Sequence, residues 1–287
     1  MYRQQFPNNG WDFANEKADF QTFLESQEVA GEHWYIPFAE IKNTIRKLAE
    51  TYKNSKVTNL APTWSNYPYM QDFSNGCAPI NNARTLAFEM ELMERKGKEI
   101  KGFRPFEAYT YMLYHALIRK KYNYDGCSIS GIMIANNKYG VLPYDVFGNT
   151  ITDKQMVNLG WNRRANYQSV IDRYGKEAEK FQIVTTVPDT FDDLVLCLQA
   201  GLAATYGTDR ETRKGKDGLY HLTGRGTAHA MCYGFYKDDC FGHGNSYGDG
   251  FGWFPIEEAK KQWNSRYYDV FVIVDIERSR KRENHNL

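Results

Sequence analysis

The 287-residue chain has no apolar run of the roughly 20 residues needed to cross a bilayer. Its opening, MYRQQFPNNGWDFANEK, lacks the apolar stretch behind a basic region that marks a secretory signal. The expectation is synthesis in the cytoplasm with no membrane partner, any export needing another route such as incorporation into a larger particle. Charge of one sign is also missing. The 36 basic and 35 acidic residues leave a formal +1, so nothing calls for nucleic acid or an anionic surface as partner. Cysteine is scarce and odd in number, five residues at 77, 127, 197, 232 and 240 without regular spacing. That excludes a complete disulfide framework and leaves at least one thiol free. His243 has Cys232 and Cys240 nearby, but three ligands without a fourth at regular spacing make a poor zinc site. Gly248, Gly250 and Gly252 read as turn glycines, because the strand, lysine and helix of a phosphate loop are missing around them.

Aromatics are plentiful, 15% of the chain with 21 tyrosines, which suits many half-buried strands. The stretch QDFSNGCAPINNARTLAFEME, residues 71–91, organises the rest. After Gly76 and Cys77, the apolar residues Ala83, Leu86, Ala87 and Met90 recur at helical spacing, so Cys77 opens a buried helix. Pro79 fits, since proline is tolerated in a first turn. Unpaired N–H groups and the positive end of the helix dipole there favour a thiolate over a thiol. Six positions upstream, Gln71 offers a side-chain amide that, with the backbone N–H of Cys77, can donate to an oxyanion formed beside the sulfur. Near the other end, His229 precedes an alternating run, Met231, Tyr233 and Phe235, that reads as a strand; Asn245 follows in Gly-Asn-Ser-Tyr-Gly-Asp-Gly.

A glutamine, five residues and a helix-opening cysteine, then Ala-His-Ala and Asn-Ser-Tyr-Gly, together resemble the papain-like cysteine peptidases, in particular their shorter-looped bacterial and viral branch. The resemblance spans roughly residues 56–263, and Asp125-Gly126-Cys127 and Lys138-Tyr139-Gly140-Val141 resemble the family's middle passage. His229 lies 152 positions after Cys77 (229 minus 77), in keeping with the family spacing of about 130–150 residues. The pattern departs from the family where Ala78 replaces the usual aromatic, where Pro79 follows it, and where Tyr247 replaces a tryptophan. What the resemblance implies is an α+β fold of two lobes, one helical and one an antiparallel barrel-like sheet, with an N-terminal extension. It implies hydrolysis of peptide bonds in a peptide or protein substrate through Cys77, His229 and Asn245, with Gln71 completing the oxyanion hole and no metal or organic cofactor. It also puts Gly126 and Cys127 at the subsite for an apolar substrate side chain.

Three divisions follow: residues 1–55 as an arm and a helix, 56–276 as the peptidase domain, and 277–287 as a charged, solvated tail. Residues 1–30 have weak periodicity and read as an extended or irregular arm. From Pro37 to Lys53 the apolar Phe38, Ile41, Ile45, Leu48 and Tyr52 share a helical face, either packed on the catalytic domain or serving as a pro-segment or docking element. Helices are expected from Arg104-Pro105, over 128–138 and within 150–179. A strand is expected at 181–184, a helix over 190–200 capped by Pro188-Asp189-Thr190, a strand at 201–207 and a charged loop over 209–222. Strands around His229, at Phe251 and over 268–274 complete the sheet. Taken alone, a cysteine at a helix start is more commonly a small buried apolar residue. His33 and His115 read as surface or core histidines. Two other functional classes stay open: a non-catalytic subunit that keeps the papain-like shape for binding in a larger, virion-like assembly, and a thiol enzyme acting on wall crosslinks or transferring acyl groups to amines.

Overall fold

The structure, a computed structural model, describes residues 11–66, 76–120, 126–147, 153–161, 166–179, 181–246, 250–265 and 268–278. At its centre lies helix α4, Cys77–Arg95, with every residue from Cys77 to Met93 buried. A helix buried all round is a core helix rather than a surface one. Leu86, Met90 and Met93 pack with Phe181, Ile183, Ile273 and Ile276, while Phe88 and Leu92 pack with Phe235 and Phe251. The helix stops where the sequence says it should, at Gly97 in the left-handed region with φ 79°.

Preceding it in the chain are α1 (Phe13–Ala30), α2 (Phe38–Tyr52) and the short α3 (Lys56–Asn59). After it come α5 (Glu107–Leu113), continuing through a π-helical turn at Tyr114–Ile118, then α6 (Ile129–Tyr139), α7 (Tyr144–Phe147), α8 (Asp153–Trp161) and α9 (Tyr167–Tyr174). These supply the helical side, with α5 and α6 buried along almost all of their length. The Ser128 hydroxyl accepts from the Gly131 N–H and caps α6. The Tyr114 ring lies so close to Gly131 that an added Cβ would come within 2.2 Å of it, so a larger residue there would separate α6 from the turn after α5.

The remaining elements are β1 (Phe181–Thr186), α10 (Phe191–Gln199), β2 (Ala203–Lys214), β3 (Tyr220–Lys237), β4 (Cys240–Gly244), β5 (Phe251–Pro255), α11 (Ile256–Trp263) and β6 (Tyr268–Arg278). One antiparallel sheet runs in the order β1-β6-β2-β3-β4-β5. It is open, with β1 and β5 at its edges, rather than closed into a barrel. Thr190 caps α10 through its hydroxyl, as expected. The charged loop expected over 209–222 is instead the outer half of a hairpin, in which Arg210 pairs with Arg225 and Lys214 with Tyr220. Its residues alternate between half-buried and exposed from Arg210 to Lys214. Charge is compatible with a strand when one face meets water, and the charge count hid the alternation. Helix α11 is an addition to the expected elements, although Glu257 and Glu258 in its first turn and Lys260 and Lys261 in its last suit the helix dipole.

The N-terminal segment corrects the expectation of an irregular arm: α1 is an 18-residue helix ended by Gly31 at φ 62°. Its apolar periodicity is weak because its buried face carries acids. Glu16, 3% exposed, accepts from the Trp11 indole N–H at 2.9 Å and from the Ile129 and Ser130 N–H groups, each at 2.9 Å. A carboxylate thus sits at the N-terminus of α6, where free amides and the helix dipole favour it. Asp19 accepts from the Ser128 and Tyr114 hydroxyls and from Arg119. Phe20 and Phe23 complete the face against Tyr35, Phe271 and Trp34. Helix α2 packs Phe38, Ile45 and Ala49 with Phe191, Leu194 and Leu198 of α10, and Lys42 pairs with Asp193 at 2.8 Å.

Replacing Glu16 by alanine strands buried donors on two segments, and such groups cost about 1–3 kcal/mol each to leave unmet. Glu16→Ala is expected to lower the unfolding free energy by an amount in that range, read as a lower urea midpoint, without the full loss of fold that would follow if α1 were part of the central core. An unchanged midpoint would show that α1 contributes nothing to stability.

Candidate active site

Cys77 is the first residue of α4 and fully buried. Its sulfur accepts the Ala230 backbone N–H at 3.2 Å. That donor and the helix N-terminus both stabilise negative charge on sulfur. His229, the residue before Ala230, lies on β3 opposite Thr208 of β2 and is 4% exposed. Its Nε2 is 3.0 Å from Asn245 Oδ1, while Asn245 Nδ2 donates to the Thr212 hydroxyl at 3.4 Å. With the amide oxygen as acceptor, Nε2 carries a proton and Nδ1 is the nitrogen left to exchange one. The structure therefore joins His229 to Asn245 directly, and joins the His229 strand to Cys77 through the adjacent amide.

The other expected site residues are placed as follows. Gln71 lies outside the described residues, as does Tyr247. The Gly126 N–H donates to the Tyr111 hydroxyl at 3.2 Å. Cys127 is fully buried, and its carbonyl accepts the Asp12 N–H at 3.0 Å in a parallel bridge with Trp11. The N-terminal segment thus pairs with the backbone at which an apolar substrate subsite was expected.

Burial also acts on three other thiols. It raises Cys197 and holds Cys232 up at about 12, the latter despite the opposing Arg84 charge, and it also raises Cys240. These sulfurs stay protonated and are poor nucleophiles. His243 is driven down to about 3, first by burial and then by the charges of Arg84 and His229. It is neutral and shares a 2.9 Å hydrogen bond with the Tyr206 hydroxyl. Among the described residues no group of three His, Cys, Asp or Glu side chains is placed to hold a metal ion. His115 is a fully buried core histidine.

Sequence reasoning missed the side chains that join these pieces. Asn81 Nδ2 donates to the Ala230 carbonyl at 2.8 Å and the Cys77 carbonyl at 3.0 Å. Arg84 Nη1 donates to the Asn245 carbonyl at 2.9 Å. The signal was present: two polar residues, Asn81 and Arg84, three apart on a helix that the apolar period marks as buried.

No family model matches the chain, and no curated protein matches it. Solved structures do. Xylellain, a cysteine protease from Xylella fastidiosa, superimposes with a TM-score of 0.52 at 20% identity over 75% of this chain and 84% of its own. The cysteine protease and lectin-like domains of Cwp84, a surface layer associated protein of Clostridium difficile, give 0.52 at 14% identity over 77% of this chain. This chain spans about half of that one, 54%. The fold is papain-like. At such identities the likeness establishes the papain-like fold and no more.

The N-terminal segment meets this papain-like frame close to the site. The Trp11 indole lies against Gly207, where an added Cβ would fall 2.2 Å from the ring. Gly207 pairs with Ala230 on one side and with Asp269 on the other. Burial, helped by the Glu16 charge, raises Asp269 from its ordinary 3.8 to about 7. A carboxyl raised on folding binds its proton more tightly in the folded state, so its contribution to stability is complete below about 3.8 and is lost as pH rises through about 7. Urea midpoints compared between pH 4 and 7.5 should therefore fall less steeply with pH in Asp269→Asn than in the parent chain. Parallel curves would show that Asp269 titrates alike in the folded and unfolded states.

Proposed function

We propose that this chain is a cysteine peptidase of the papain type, of the shorter-looped bacterial and viral kind, acting on peptide bonds through Cys77, His229 and Asn245. The observation that carries the reading is the pairing of His229 Nε2 with Asn245 Oδ1 at 3.0 Å beside an Ala230 N–H that meets the Cys77 sulfur at 3.2 Å. The papain-like fold supports it. In this reading His229 takes the Cys77 proton on Nδ1 and Asn245 keeps the imidazole oriented through Nε2. The thiolate attacks the peptide carbonyl carbon to form the tetrahedral oxyanion. The Cys77 amide and the Gln71 side chain donate to that oxygen. Imidazolium returns its proton to the leaving nitrogen as the C–N bond breaks, releasing an amine and leaving a thioester. Water, deprotonated by His229, hydrolyses the thioester and regenerates the thiol.

The residues at 126–127 serve, in this reading, as the wall of an apolar subsite. Cys127 offers its backbone rather than its buried side chain, and that backbone holds Asp12. Substrate pairing there requires residues 11–12 to move aside, which gives the segment before residue 55 the covering role of a pro-segment. The same contact is what a non-catalytic binding subunit with a filled cleft would show, so turnover is the deciding property.

Cys77→Ala is expected to abolish hydrolysis of an unstructured peptide and labelling by a thiol-directed epoxide, whereas equal labelling of the variant would assign the reactivity to another cysteine. His229→Ala should shift alkylation of Cys77 to higher pH, and an unchanged profile would mean that no thiolate–imidazolium pair forms. Gln71→Ala should lower kcat by on the order of 10²–10³, the loss expected for one oxyanion donor. A wild-type kcat in that variant would remove Gln71 from the mechanism.

A further inference from the structure

We propose that Arg84 is a positioning residue for this chemistry, setting the orientation of Asn245 and through it that of the His229 imidazole; the inference rests on the cysteine peptidase reading above. Arg84 lies seven positions after Cys77 on α4 and is 1% exposed. Its Nη1 donates to the Asn245 carbonyl at 2.9 Å and to the Gly250 carbonyl at 3.3 Å, so one guanidinium holds Asn245 and Gly250 together. The grip is built into the packing as well. Gly244, the residue before Asn245, carries no side chain where the Arg84 Cδ and Nη1 pass; an added Cβ would stand 2.5 and 2.7 Å from them.

Asn81, three positions earlier on the same helix, performs the matching task for β3. Its Nδ2 donates to the Ala230 carbonyl, and reaches the Ser246 hydroxyl at 3.4 Å. Residues three apart on a helix are neighbours on its surface. The helix that presents Cys77 therefore also holds the backbone beside His229 and the backbone of Asn245. A planar guanidinium with several fixed donors can hold two carbonyls at once, while an ammonium is a flexible point donor. Small displacements in such a support cost rate even when no contact to substrate is lost.

The test is a double-mutant cycle. Arg84→Lys and Arg84→Met are made in the parent chain and in Asn245→Ala, folding is checked by circular dichroism, and kcat and KM are measured on an unstructured peptide. Arg84→Met should lower kcat on the order of 10-fold to 10²-fold with KM little changed, with Arg84→Lys between it and the parent. In Asn245→Ala the Arg84→Lys step should cost nothing further, because the group it positions is gone. A multiplicative loss in that background, or a parental kcat in Arg84→Lys and Arg84→Met, overturns the inference. Where Arg84→Met fails to fold, the Arg84→Lys cycle decides alone. Cys77→Ala, run alongside, keeps the two proposals apart. If it retains turnover, the peptidase reading itself fails; if it is inactive while the Arg84 cycle is multiplicative, the positioning role alone falls.

Discussion

A helix enclosed on every side cannot leave its polar side chains to water, and this constraint shapes the molecule. Along α4, Asn81, Asn82, Arg84, Thr85, Glu89 and Glu91 are all buried, and a buried polar group without a partner is costly. The partners are found on several surrounding elements. Asn82 accepts from Asn136 of α6, which in turn accepts from Thr110 of α5. On its other side Asn82 donates to Thr205 of β2, whose hydroxyl reaches Thr85. Glu89 accepts the Ala203 N–H at the start of β2 and pairs with Lys96, while Glu91 holds the backbone of Thr63 and Ser65. Meeting these demands fixes the helical side against the sheet and leaves few registers in which all are satisfied.

The candidate site is a consequence of the same arrangement. Cys77 stands where α4 begins, so whatever holds α4 to β3 and to the loop after β4 also sets the distances among sulfur, imidazole and amide. The acids of α1 repeat the principle at the molecule's other join. Glu16 and Asp19 are buried because they serve as caps and acceptors for the segment entering α6, and that brings Trp11 onto Gly207, one strand away from Ala230.

Much of this was legible in the residues. The helix opened by Cys77, the amphipathic helix after Pro37, the Thr190 cap and the strands around His229, Phe251 and residues 268–274 all follow from period, caps and breakers. The papain-like fold followed from short motifs far apart along the chain. What stayed hidden was hidden by polarity in two ways. Helix α1 buries carboxylates, the outer hairpin of β2 and β3 exposes charge, and Asn81 and Arg84 are polar residues inside the core. For α1, Asn81 and Arg84 a tertiary partner reverses the environment that polarity suggests, and that partner lies more than 100 positions away: 113 between Glu16 and Ile129, 149 between Asn81 and Ala230, 161 between Arg84 and Asn245. In the hairpin the partners are near, 15 positions between Arg210 and Arg225, and solvated charge alone hid the strand. The sheet order, with β6 inserted between β1 and β2, is likewise a long-range choice with no local mark.

In the proposed mechanism α4 and β3 bring the Cys77 sulfur and the His229 imidazole into one electrostatic unit. The most direct measurement is a nuclear magnetic resonance titration of the His229 ring in the parent chain and in a chain with alanine at position 77. The ring is expected to keep its proton to higher pH when the sulfur is present, since a thiolate alongside favours the imidazolium. Superimposable titration curves would contradict it.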